Sequence, residues 1–234
     1  MVVRAEGQLE SIDVSSIKGN APDDAKNYVY RVFQHLVGHE PRYNHEIGNR
    51  IELKEVNIWG DAGSQSAKAE TIFEIEVTPG TLSPSIVVNK SLMLGFDNSW
   101  VDMCNIFGIM HGGCAAYLID HCSVSSTVAL GTRLGKDGTG LSQSMNVIWS
   151  EAAPQGSTLR IVNTSLSLRG RTRTCRTEIW NGDTLCVSGT QSLVNVPSKM
   201  VSSSMQHASL QSRPSPPSHT PVLPSEGSRM TSKL

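Results

Sequence analysis

"GIMHGGCAAYLIDH", residues 108–121, decides how this chain is read. A histidine and two glycines lead into a long apolar run, and one carboxylate, Asp120, sits inside that run beside Ile119. Between 111 and 131 the run carries Ala115, Ala116, Leu118, Ile119, Val124, Val128, Ala129 and Leu130, and it meets Gly131. The pattern predicts a buried helix over 111–131, ended by Gly131 and closely packed because its residues are small. An aspartate in such a helix is costly to bury unless it is paired or used.

The flanking sequence says what surrounds that helix. "PDDAKNYVYRVFQHLVGH" (22–39) puts Ala25, Val29, Val32, Phe33 and Leu36 on one face, with Pro22 and two aspartates suited to a first turn and Gly38 to the end. "RIELKEVNIW" (50–59) alternates like a strand but slips between Leu53 and Val56, and "AETIFEIEVTP" (69–79) alternates up to Pro79. Within 80–104, "SIVVNKSLMLGF" is strand-like. Downstream, strands are predicted at 140–150, 157–168, 172–181 and 184–195, with a tight turn at Asn181-Gly182-Asp183. Strands joined by short turns give an antiparallel sheet, and one buried helix against it gives an α+β layer arrangement. After Pro197 the chain turns to Ser, Pro, His, Gln and Met and lacks the apolar content of a core. The expected organisation is a flexible 1–21, a domain over 22–196 and a disordered tail over 197–234.

Composition narrows the function classes. A net charge of −1 gives no global basic field for nucleic acid. No apolar stretch reaches the roughly 18–20 residues of a membrane-spanning helix. The five cysteines form no C-x-x-C pair, which argues against a zinc site or a disulfide framework and for free thiols in a reducing compartment. The seven histidines show no zinc-ligand spacing, and neither G-x-S-x-G nor a phosphate-binding glycine fingerprint is present. The chain ends in Ser232-Lys233-Leu234, the form of a peroxisomal address, so import through the peroxisomal receptor is expected, with a cytoplasmic location if the match is fortuitous.

Two features could carry chemistry. The first amides of a helix have no internal partners and carry partial positive charge, so Gly112 and Gly113 could hold an oxyanion. Taken alone, His-Gly-Gly also reads as only a tight turn into the helix. Asp120 lies about 12 Å along the axis from residue 112, at 1.5 Å per residue. Either the two features are unrelated, with Asp120 capping a neighbouring loop, or a second subunit brings its Asp120 to this helix start.

"NIFGIMHGGCAAYLID" (105–120) resembles the N-x5-H-G-G-x6-D signature of small hotdog-fold acyl-CoA thioesterases, and the resemblance continues through "GLSQSMNVIWSEAAPQGSTLRIVNTSLSLRGRTR" and "GDTLCVSGTQSLV" to about residue 196. It implies a hotdog fold, an antiparallel sheet wrapped around a long central helix, in a homodimer or homotetramer that hydrolyses acyl-CoA without a cofactor or metal. It also implies roles. The Gly112 amide would polarise the thioester carbonyl, with His111 close by, and Asn105 and Ser142 would position the water. Asp120 of the other subunit would be the general base or a nucleophile. Arg171 and Arg173, then Arg169, with Gly113, would bind the CoA portion of the substrate. Residues 80–104 are longer than the usual link into this motif. Two other readings stay open: a hydratase or dehydratase acting on acyl-CoA with the same fold, and a non-catalytic acyl-CoA-binding protein.

Overall fold

The structure is a computed structural model, and it describes residues 13–37, 43–61, 66–78 and 103–195. The strand-like segment within 80–102, Gly38 and the tail from 196 onward lie outside the described residues. By its internal contacts the chain divides into a unit of Met1–Val196, which holds every described residue, and a unit of Pro197–Leu234.

The first helix, α1, spans Asp23–Val37, with Asp23 and Asp24 in its first turn and Ala25, Val29, Phe33 and Val37 buried. A short helix, α2, covers His45–Gly48. Strands β1 (Glu52–Trp59) and β2 (Lys68–Glu76) pair antiparallel. The slip in "RIELKEVNIW" is a β-bulge between Leu53 and Glu55, where one extra residue returns Val56 to the buried face. The long helix α3 spans Gly112–Leu134, followed by β3 (Leu141–Trp149), β4 (Thr158–Arg169), β5 (Thr172–Asn181) and β6 (Thr184–Val194).

The six described strands form one sheet in the order β1-β2-β4-β5-β6-β3, and every pairing among them is antiparallel. Helix α3 packs on the sheet, chiefly on β4, β2 and β5, and α1 packs against α3. Phe73, Leu159, Ile161, Ile179 and Leu193 rise from the sheet to meet Leu118, Ile119 and Cys122 of α3, all of them buried. Phe33 of α1 closes the layer against Phe73, with ring centroids 4.6 Å apart. This is the hotdog arrangement of a sheet wrapped around one central helix.

Two expectations are corrected. Helix α3 runs through Gly131 and stops at Gly135, whose φ of 61° closes the helix with its N–H on Gly131 O. Gly131 has another reason to be glycine: a Cβ there would lie 2.5 Å from Lys136 O, because the following loop folds back on it. Residues 13–21 are not loose. Ile17 and Ala21 are buried, and Lys18 bridges to Glu55 through Lys18 N–H on Lys54 O at 2.8 Å and Val56 N–H on Lys18 O at 3.0 Å.

A polar row crosses the core under α3. Asn163 of β4 donates to Thr71 O on β2 at 3.2 Å, and Thr177 of β5 donates to Asn163 Oδ1 at 2.7 Å. Thr71 meets Ser125 of α3 at 2.5 Å. The helix hydroxyls are satisfied as well, Ser126 and Thr127 donating to carbonyls three residues back. A helix this deeply buried can carry Ser and Thr because each hydroxyl finds an acceptor. Among the described residues no helix is long and apolar enough to cross a membrane.

Candidate active site

The N-terminus of α3 is built by His111. It is the N-cap, extended at φ −66° and ψ 138°, and its Nδ1 accepts the Gly113 N–H at 2.9 Å. Its own N–H donates to Met103 O at 2.7 Å, tying the helix start to the chain before it. An Nδ1 that accepts leaves the proton of the neutral ring on Nε2. Among the described residues nothing accepts from the Gly112 N–H. The cap therefore takes the Gly113 amide and leaves the Gly112 amide open, where the helix end is electropositive.

The open amide borders a cleft of about 380 Å³ whose walls include Asn105, Ile109, Trp149, Glu151 and Val187. A Cβ on Gly112 would lie 3.3 Å from Trp149 Nε1, so the indole stands directly over the bare backbone. Asn105 starts a tight turn in which its Oδ1 accepts from Phe107 N–H at 2.9 Å and its carbonyl accepts from Gly108 N–H at 3.0 Å. Asn105 also lines the cleft.

Asp120 is not part of that cleft wall. It lies on the inner face near β6 and β3, with its side chain 37% exposed. Ser142 of β3 donates to Asp120 Oδ1 at 2.5 Å, and Gln191 of β6 donates through Nε2 to the same oxygen. Gln191 Nε2 also donates to Ser142 Oγ at 2.8 Å, and Ser123 Oγ donates to Gln191 Oε1. The other carboxylate oxygen, Oδ2, has His121 Nδ1 at 4.0 Å. That ring lies against Tyr117, with centroids 4.3 Å apart. Ser142, expected to help position the water, hydrogen-bonds Asp120 of its own chain.

The sequence-expected residues thus form two separate groups in one protomer: His111, Gly112 and Asn105 at the helix start, and Asp120 with Ser142 about 12 Å further along α3. The arginines divide too. Arg169 and Arg171 are exposed at the β4–β5 hairpin, Arg171 donating to Asn195 O at 3.4 Å. Arg173 is 4% exposed and points inward, with its guanidinium on Gly170 O at 3.1 Å and Asp137 O at 2.5 Å. It is a buried clamp on the loop after α3, not the surface cation expected for a phosphate. The Gly113 amide, taken by His111, is likewise not open to a ligand.

Sequence reasoning missed Gln191 and Trp149. Gln191 carried a readable signal: it alternates with Val187, Gly189 and Leu193 on the buried face of β6, where an amide needs partners. All five cysteines are buried, and none forms a disulfide. Burial pushes Cys175 up to about 11 and Cys122 higher still, so neither supplies a thiolate nucleophile at neutral pH.

No protein-family model and no curated protein sequence matches the chain. Among solved structures, the chain is similar to thioesterase superfamily member 2 from zebra fish, at 17% identity over 73% of this chain and 97% of that one, with a TM-score of 0.49. It is also similar to thioesterase superfamily member 2 from Mus musculus, at 18% identity over 74% and 98%, with a TM-score of 0.47. A Streptococcus mutans protein bound to acetyl CoA is 14% identical over 68% and 94%, with a TM-score of 0.43. These are likenesses of overall shape, at identities too low to transfer a residue's role.

Proposed function

We propose that this protein is an acyl-CoA thioesterase that works as a homodimer or a larger assembly of dimers, each active site combining the Gly112 amide of one protomer with Asp120 of the other. The observation that carries the reading is the pair of half-sites on α3: an open, electropositive amide in a cleft, and a carboxylate held at one oxygen and free at the other. A rigid helix keeps them apart in one chain, so only a second copy can bring them together.

The edge of the sheet supports such pairing. Strand β3 is one of the two edge strands of the described sheet and is exposed on both faces, Leu141, Ile148 and Trp149 each being more than half exposed. An exposed apolar edge strand is a template for pairing with another chain. Two-fold pairing through β3 would continue the sheet across the dimer.

The chemistry follows from the donors and acceptors present. The thioester carbonyl oxygen takes the Gly112 N–H, which strengthens as negative charge develops on that oxygen. A water held near Asn105 and Asp120 attacks the carbonyl carbon and gives its proton to the carboxylate. The tetrahedral intermediate collapses, the C–S bond breaks, and the sulfur leaves with the proton from Asp120. One water and one acyl-CoA become a carboxylic acid and CoA. Arg169 and Arg171 would be the cations that meet CoA phosphates.

The test is free-thiol release from a panel of acyl-CoAs, comparing the wild type with Asp120→Asn and Asp120→Ala. We expect kcat to fall roughly 10²- to 10⁴-fold in both, the range for a lost general base. Thiol release that survived both substitutions would sink the Asp120 role. Hydration of an enoyl-CoA without thiol release would identify a hydratase, and binding with neither reaction a carrier.

We also propose a peroxisomal location, on Ser232-Lys233-Leu234 alone. Deleting the tripeptide should leave a tagged protein in the cytosol, and an unchanged peroxisomal signal would remove the proposal.

A further inference from the structure

The carboxylate of Asp120 is not free to turn, and the residue that holds it is one the thioesterase reading does not require. Gln191 is 1% exposed on the inner face of β6. Its Nε2 faces Asp120 Oδ1 and, at 2.8 Å, Ser142 Oγ. An ionised carboxylate has no proton to give, so the amide end facing it must be the NH2 group. That assignment turns Oε1 the other way, onto the Ser123 hydroxyl of α3, which donates to it. The orientation of the amide is therefore fixed from both ends.

Every hydrogen-bonding atom in the cluster then has a defined role. One Nε2 hydrogen goes to Asp120 and the other to Ser142. The Ser142 hydroxyl, having accepted from Gln191, donates its own proton to Asp120 Oδ1 at 2.5 Å. The three side chains close a ring around a single carboxylate oxygen. Oδ2 stays outside the ring, with His121 Nδ1 at 4.0 Å, beyond hydrogen-bond reach. Two donors on Oδ1 pin the plane of the carboxyl group and leave Oδ2 as the oxygen that can take a proton.

We propose that Gln191, oriented by Ser123, is a positioning residue that holds Asp120 through Oδ1 so that Oδ2 is presented as the base. The proposal rests on the thioesterase reading for what the base does, but the hydrogen-bond ring exists independently of it. Residues that hold a reacting group in place act on the reacting step and leave substrate binding alone.

The experiment uses the full chain with Gln191→Met, Ser123→Ala and the double variant. Each is assayed for thiol release from the best acyl-CoA of the panel and melted in parallel. Met keeps the bulk of Gln and removes both donors. For Gln191→Met we expect kcat to fall roughly 10- to 100-fold with KM unchanged, the range for lost supporting hydrogen bonds around a reactive group. Ser123→Ala should lower kcat less, and it should cause no further loss in the Gln191→Met background, because Ser123 acts only through the amide. A merely structural glutamine would change the melting temperature without this non-additivity. Wild-type kcat in a folded Gln191→Met variant, or fully additive losses, would overturn the proposal.

A second readout does not depend on turnover or on the Gln191 and Ser123 variants folding. The side-chain NH2 protons of Gln191 in the wild type should be protected from hydrogen exchange, and Asp120→Ala should release them. If no acyl-CoA gives thiol, the thioesterase reading fails, and the exchange measurement still decides whether Gln191 holds Asp120. Unprotected Gln191 protons in the wild type would overturn the holding role whatever the activity.

Discussion

Replacing Gly112 with alanine should separate the fold from the chemistry. In the folded chain a Cβ at this position lies 3.3 Å from Trp149 Nε1, 3.5 Å from Cε2 and 3.7 Å from Cζ2. Only the first contact is tight, and Trp149 is 56% exposed on an edge strand, so the indole can move by the few tenths of an ångström required. Alanine is the better helix former by about 0.5–1 kcal/mol, which offsets that displacement. We therefore expect the stability of Gly112→Ala to lie within about 1 kcal/mol of the wild type. The methyl group, however, fills the gap between the bare amide and the indole, where the proposed thioester substrate would approach. Loss of one oxyanion donor costs roughly 10²- to 10³-fold in rate, and that is the fall we expect in kcat/KM. Urea denaturation followed by circular dichroism gives the first quantity and thiol release gives the second. A stable Gly112→Ala protein with undiminished kcat/KM would show that this amide does not bind the carbonyl.

The arginines and Asp137 give two further outcomes. Arg173→Met should destabilise the fold by roughly 1.5–3 kcal/mol, because Gly170 O and Asp137 O lose a charged donor. Arg171→Ala should leave the melt unchanged and raise KM for acyl-CoA, and titrating salt would show the same electrostatic dependence in the wild type. Asp137 tests the acid side. Burial alone would raise its carboxyl, but hydrogen bonds from Thr139 and Asn195 outweigh burial and hold it below its ordinary value of 3.8. Its contribution is therefore fully present above pH 4 and is lost as the pH falls through the depressed native value. Asp137→Asn should cost more stability in urea melts at pH 7 than at pH 3, and an equal cost at both would refute this assignment.

What the sequence made legible was what periodicity and turn chemistry control. The β1 bulge was visible as a slip between Leu53 and Val56, and the β5–β6 hairpin as Asn181-Gly182-Asp183, because both are local. Helix α3 was visible from its apolar content, but its end was misread: Gly131 serves close packing against Lys136 and Gly138, a contact that exists only once the chain has folded back. Arg173 was misread for a related reason. It sits in the alternating pattern of β5 at an inward position, with Cys175, Thr177 and Ile179, and a basic cluster in sequence does not reveal which of its members points inward. The site was half legible. His111, Gly112 and Asp120 lie on one segment, whereas Gln191 reaches Asp120 from 71 residues away and becomes a partner only through the β6–β3 edge of the sheet.

The placement of the two half-sites on one rigid helix has a consequence that no single variant can mimic. Let one inactive protein carry Gly112→Ala and another Asp120→Asn, and let their subunits be exchanged. In the mixed dimer, one site receives the blocked amide from the first chain and the amide-for-acid replacement from the second, and it is doubly defective. The other site receives the intact Gly112 of the second chain and the intact Asp120 of the first. Random pairing makes about half of the dimers mixed, each with one good site of two, so activity should return to about a quarter of wild type. If the Gly112 amide and Asp120 served a site within a single chain, every site in the mixture would keep one lesion and nothing would return. Thiol release measured before and after co-refolding equal amounts of the two variants distinguishes these cases. Absence of recovery, in a mixture shown by mass-tagged subunits to have exchanged, would refute the shared site.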